Sequence, residues 1–403
     1  MGTGARRVAA AALAAAVCAC LAAAPPAPGA GLAAAAFLAS PAAALQAAGQ
    51  AVAPAGVPGA LAGGDGAAAG ENAAPEAGGA AEDARAVQAV PAPEAGGAAE
   101  DAPAAEAGGT PNAVPALAPL PNSSDPAALL PLPADAVPEG MAPLTQRFYT
   151  QDVGGQAVAV GAGVIRNCTD LTNAQVAAQA GGPLPFAVEP GAGEPQVLIM
   201  HTHATECYED AERSWADPAA SARTTDTARN MVAVGAAMAR VLNEAGICTI
   251  QDTTLHDYPS YTGSYAASNA TVRAYLARYP GIKIVLDVHR DAIGGADGSR
   301  TKPVFMWNGL KCAQVMLICG ADNGGNLPNY RQNLCFAAAW QSAMATVVPG
   351  LARPCLFDYR YYNQDLTTGS LLLEVGGHGN TLDEAIRGGE LAARALAALL
   401  GAG

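Results

Sequence analysis

Every tryptophan and tyrosine in this chain lies after Phe148, and that asymmetry limits how much of it can fold. The part before about residue 140 is nearly all Ala, Gly, Pro and acid, with no Trp, Tyr or Lys. The hydrophobic fraction over all 403 residues is 51%, but alanine supplies much of it and buries little surface. A segment of that composition cannot bury enough apolar area to offset chain entropy. The expectation is one folded domain of roughly 250 residues. The sequence divides into an expected signal and membrane-anchor region over 1–48, a disordered spacer over 49–140, and a folded domain over 141–403.

The N-terminus places Arg6 and Arg7 before an apolar run over 8–24, and a second apolar stretch over 30–45 follows a Pro-rich break. Basic residues ahead of an apolar run keep the start in the cytoplasm, so the rest of the chain is expected outside it, anchored to the membrane. A spanning helix needs about 20 apolar residues. The first run is slightly short and the second is broken by Ser40 and Pro41, so cleavage stays open. The spacer repeats PEAGGAAEDA at 75–84 and 93–102, which reads as a duplicated flexible tether. The net charge is −14, and between 50 and 140 there are twelve acidic residues against one base, Arg85. No basic stripe exists, which argues against nucleic acid as a partner.

From 145 onward, apolar runs alternate with helical patterns. Buried strands are predicted at 196–200, 247–251, 282–288, 315–319 and 370–375. Helices are predicted at 226–244, with Thr225 or Asp226 as cap, and at 268–278, 329–347 and 381–400. In the last, Thr381 is followed three residues later by Glu384, a capping-box pattern. The fold class is therefore α/β, a mostly parallel sheet flanked by helices on both faces. In such sheets the site gathers at the carboxyl ends of strands.

Three polar clusters fall at those ends: HTHATE at 201–206, HRD at 289–291, and Glu374 directly after a triple leucine. A catalytic zinc ion takes three protein ligands, commonly two His and a carboxylate, and keeps one position for water. His203 and His289 are the candidate nitrogen ligands, with Glu206 or Asp226 as the carboxylate. Glu374 is the candidate base that takes the proton of bound water. His201 can serve as a donor to a backbone carbonyl, and Asp287 and Asp291 can orient His289. His256 and His378 read as loop residues, and Cys207 as a neighbour that packs. No CxxC pair exists among nine cysteines, so a cysteine zinc site is not expected, although disulfides can form after export.

VLIMHTHATECY (197–208), the run from TLHDYPSYTGSY to VLDVHRDAI (254–293), and YYNQDLTTGSLLLEVGGHGNTLDEA (361–385) resemble the stage II sporulation protein P family. These are membrane-anchored cell-wall hydrolases of endospore-forming bacteria, similar to zinc-dependent N-acetylmuramoyl-L-alanine amidases. The resemblance covers about 145 to 400. It implies a Zn2+ cofactor held by His203, Asp226 and His289, with Glu374 as base. The acid that opens the amidase helix is normally Glu, so Asp226 departs from the pattern and Glu206 stays an alternative ligand. The resemblance also implies a peptidoglycan substrate, cleavage of peptide cross-links besides the amide, and a lytic transglycosylase partner of the engulfment machinery. Two other readings are a zinc peptidase or carboxypeptidase on the same fold, and a catalytically silent cell-wall binding module.

Overall fold

The structure is a computed structural model that describes residues 117–402. The predicted anchor region and most of the predicted spacer, with its repeat, lie outside the described residues. In chain order the first strands are β1 (Ala142–Arg147), β2 (Ala157–Val160), β3 (Gly163–Asn167), β4 (Val197–Met200), β5 (Trp215–Ala216) and β6 (Thr249–Gln251). They are followed by β7 (Ile284–Asp291), β8 (Arg300–Trp307), β9 (Leu310–Ala313), β10 (Val315–Gly320), β11 (Cys355–Asp358) and β12 (Gly369–Gly377). The helices are α1 (Asn173–Ala180), α2 (Met231–Glu244), α3 (Ser264–Arg278), α4 (Tyr330–Val347) and α5 (Leu382–Leu399).

The main sheet has eight strands in the order β2-β3-β11-β10-β12-β7-β4-β6. Its centre is made of the runs with no polar face to spare: β4 and β12 are buried throughout, and β7 is buried except at Asp291. β6, β4, β7 and β12 are mutually parallel, as the alternation of strands and helices predicts. β10 then runs antiparallel to β12 and begins a second parallel block with β11 and β3. The reversal has a chain-length cause. The segment 359–368 between β11 and β12 holds no helix, and a parallel return needs a crossover of about a dozen residues or more.

Four helices cover one face of this sheet and one covers the other. Val197, Ile199, Leu286, Val288 and Leu373 share a core with residues of α1, α2, α4 and α5. The alternate residues Leu198, Met200 and Val285 pack with Val272 of α3. A four-stranded sheet, β5-β1-β8-β9, stands beside the first and was not expected from the sequence. Its β8–β9 hairpin closes on Asn308 and Gly309, at φ 48° and 79°. Positive φ at both turn positions matches the right-handed strand twist and favours Asn-Gly.

Two expectations are corrected. The helix predicted from 226 starts instead at Met231, where Asn230 caps it by accepting the Val232 amide at 3.0 Å. Residues 226–229 form a separate turn, with the Arg229 amide bonded to the Asp226 carbonyl at 2.9 Å. The stretch 117–140, predicted as spacer, lies along the domain without helix or strand of its own. Leu117 and Leu120 pack on the main core, and the Leu120 amide donates to the Val347 carbonyl at 2.8 Å. Pro126 lies so close to Gly350 (φ +95°) that a Cβ there would meet its Cβ at 2.5 Å. At the other end, the predicted box forms: Thr381 accepts the Glu384 amide, and Glu384 accepts the Thr381 amide.

Candidate active site

Alternation along a strand puts Asp287 and His289 of β7 on the same face as Val285, the face under α3. β7 and β12 pair in register with His289 opposite Glu374, so those two side chains stand side by side on that face. His201, His203 and Glu206 arrive from the loop that leaves β4. His201, His203, Glu206, Asp287, His289 and Glu374 are all buried.

His201 is a structural residue. Its Nδ1–H donates to the Val288 carbonyl at 2.8 Å and its Nε2 accepts from the Gln251 amide at 3.0 Å. Burial lowers its pKa to about 4, so the ring stays neutral. The glycine at 235 in α2 makes room for it, because a Cβ there would lie 2.6 Å from the ring. His256 is likewise satisfied, with Nδ1–H donated to the His201 carbonyl at 2.9 Å and Nε2 accepting from the Thr271 hydroxyl at 3.0 Å.

His203 stacks on Tyr261, with ring centroids 4.6 Å apart at 14°, and meets His289 edge-on at 5.2 Å. Its Nδ1 is buried without a hydrogen-bond partner. Burial, with the His289 charge beside it, lowers its pKa to about 3. His289 donates Nε2–H to Asp287 at 2.7 Å, and its Nδ1 faces a Glu206 carboxylate oxygen at 3.7 Å. Burial opposes charge on His289, but Asp287, Glu206 and Glu374 outweigh it and raise the pKa to about 9. Asp287 is held in turn by the Thr202 amide at 2.8 Å and hydroxyl at 2.7 Å. Burial pushes the Asp287 carboxyl up, and the His289 charge and these donors more than reverse that.

Glu206 is fixed by its backbone as much as by its side chain. It bridges Arg223 across a short antiparallel contact, and its carbonyl accepts the Met231 amide at 3.0 Å where α2 begins. Its carboxylate accepts the Arg290 amide at 3.2 Å. Glu374 carries one buried carboxylate oxygen with no hydrogen-bond partner. Burial and the neighbouring Asp291 raise its pKa to about 8, against the pull of His289. Asp291 itself pairs with Arg353 at 2.8 Å.

Asp226 stands apart from this cluster. It is exposed, its carboxylate accepts the Ala228 amide of its own turn at 3.0 Å, and no hydrogen bond or ion pair joins it to either histidine. Cys207 is half-buried, and burial raises its thiol pKa, the opposite of what a nucleophile needs. All seven described cysteines are free. His378 follows β12, with its amide bonded to the Asp291 carbonyl at 2.8 Å. Reading by residue type missed Arg223, Asp257 and Tyr261. Asp257 accepts the Thr205 hydroxyl at 2.6 Å and pairs with Arg223 at 2.7 Å, and Arg223 lies 4.7 Å over the Tyr261 ring. Asp257 and Tyr261 sit in the TLHDYPSYTGSY run, which was the only sequence signal for them.

Among the described residues, no three His, Cys, Asp or Glu side chains already stand in metal-holding geometry. The donor chemistry nonetheless fits a divalent cation: two adjacent imidazoles, one with an orphaned buried nitrogen, and a carboxylate beside the other. The carboxylate–His289 pair supplied by Asp287 is the usual outer support of a metal-bound histidine.

The sequence profile of the stage II sporulation protein P (SpoIIP) family matches residues 165–397, which contain this whole cluster. The chain belongs to that family. The stage II sporulation protein P of Bacillus subtilis (strain 168) is 30% identical over 212 residues, or 49% of this chain and 49% of that protein. This SpoIIP family member thus spans about half the length of the relative it matches. Among solved structures it is similar to an N-acetylmuramoyl-L-alanine amidase of Nostoc punctiforme, 12% identical over 51% of this chain and 97% of that one, with TM-score 0.32. It is also similar to the CwlD amidase of Clostridioides difficile, solved in complex with the GerS lipoprotein: 12% identical over 51% of this chain and 95% of that one, TM-score 0.31.

Proposed function

We propose that this chain is a zinc-dependent peptidoglycan hydrolase of sporulation that cleaves the amide between the muramic lactyl group and L-alanine. The observation that carries the reading is the facing of His289 and Glu374 across β7 and β12, with His203 and Glu206 buried beside them. His203, His289 and Glu206 would hold the zinc ion, Glu206 taking the place in which Asp226 was the other candidate. Bound zinc supplies a Lewis acid for the scissile carbonyl and an acidified water.

The remaining chemistry belongs to the chain. Asp287 keeps His289 oriented through the bond to Nε2, which leaves Nδ1 toward Glu206. Glu374, opposite His289 across β7 and β12, would accept a proton from water and return it to the departing alanine amine. The same site is proposed to act on peptide cross-links. The N-terminal region would hold the domain at the outer side of the cell membrane, where a lytic transglycosylase opens the glycan strands it works on. Among the described residues, no helix is long and apolar enough to cross a membrane.

Purified peptidoglycan digested with the full chain, with and without chelator, tests this. The expected result is new L-alanine N-termini opposite intact muramic lactyl carboxyls, abolished by chelator. New termini only within cross-links would make the protein a peptidase. No product from a zinc-loaded chain would make it a binding module.

A further inference from the structure

We propose that Arg223 is a positioning residue that holds Glu206 and His203 in their relative places and thereby sets how tightly the site takes up a metal ion. This rests on the zinc reading above. Arg223 Nη1 pairs with Asp257 at 2.7 Å and donates to the Thr205 hydroxyl at 3.3 Å. Nη2 faces the Glu206 carboxylate at 3.6 Å. The flat of the same guanidinium lies 4.7 Å over the ring of Tyr261, whose plane stacks at 4.6 Å on His203. One side chain therefore reaches one candidate ligand directly and the other through a single aromatic ring. It also ties the loop after β4, which carries both ligands, to the loop that carries Asp257 and Tyr261.

The chemistry is particular to arginine. A planar fork can contact two carboxylates while its face stacks on an aromatic ring, whereas a lysine ammonium is a compact point charge that cannot do both. Residues that orient metal ligands typically change metal affinity by about 10- to 100-fold when removed. The Arg223 side chain is 29% exposed, so it is not itself a core-filling group.

The test is zinc affinity of the full chain, stripped with chelator and titrated against a chromophoric competitor, with thermal melting recorded alongside. R223Q is expected to weaken zinc binding by about 10- to 100-fold. R223K, which restores charge without fork or face, should fall between R223Q and wild type. A merely structural role would lower the melting temperature and leave the affinity of the folded protein unchanged, and that result overturns the proposal. Should R223Q fail to fold, Tyr261→Leu, which removes the stacked ring, is read against Tyr261→Phe, which keeps it; every ion pair of Arg223 remains in both. Weaker zinc binding in Tyr261→Leu than in Tyr261→Phe supports the relay, and equal binding overturns it. If wild type binds no zinc, the zinc reading falls and takes this inference with it. If wild type binds and all variants match it, only this inference falls.

Discussion

Glu374 emerges from a strand buried on both sides, and one of its oxygens has no hydrogen-bond partner, a costly arrangement for a residue with no task. Glu374→Gln keeps the shape but cannot accept a proton. It should retain zinc and peptidoglycan binding while turnover falls by about two to four orders of magnitude. Loss of zinc from this variant would make Glu374 a ligand, and near-normal turnover would remove it as base. Metal content separates the two candidate carboxylates: Glu206→Ala should lose zinc and Asp226→Ala should keep it, given that of the two Glu206 stands beside His289. The histidines and Glu374 were legible in the sequence because their type and their place after apolar runs coincide. Arg223 and Asp257 were not, since an ion pair between residues 34 positions apart, both in loops, leaves no periodic trace.

Helix α2 shows two local rules in competition. Asp226 looked like a cap because an acid preceding an apolar helical pattern usually is one, yet Asn230 takes that place one turn later. Displaced from the helix, Asp226 is exposed in a turn of its own, with its carboxylate accepting the Ala228 amide. Within α2, Gly235 costs about 1 kcal/mol of helix propensity relative to Ala. A Cβ there, however, would come within 2.6 Å of both the His201 ring and the Gln251 amide. Overpacking of that kind costs about 1 to 3 kcal/mol, so the contact should outweigh the propensity. Gly235→Ala is therefore expected to lower the melting temperature by several degrees, and a rise would show that His201 yields easily. The Asn308-Gly309 hairpin of the second sheet carries a local signature, an Asn-Gly dipeptide between apolar runs, that lies outside the βαβ pattern.

At the scale of the molecule, the folded unit reaches further toward the N-terminus than aromatic content alone indicates. Leu117 and Leu120 pack on the core, and the Pro126 carbonyl accepts the Met306 amide at 3.0 Å. A chain starting at Met141 should be less stable than one starting at Leu117 by about 2 to 4 kcal/mol, the worth of two partly buried leucines and their hydrogen bonds. Equal denaturation midpoints would show that the segment lies on the domain without supporting it. The α/β class, the buried strands β4, β7 and β12, and the association of His203, His289 and Glu374 with them were legible in the sequence itself, because burial on both faces writes continuous apolar runs. Only the tertiary structure decided the reversal of β10 against β12, the second sheet, the docking of 117–140, and the choice of Glu206 over Asp226 as the neighbour of His289. Each of those depends on where distant segments meet, and pairing between such segments is set by packing and loop length, which no local pattern records.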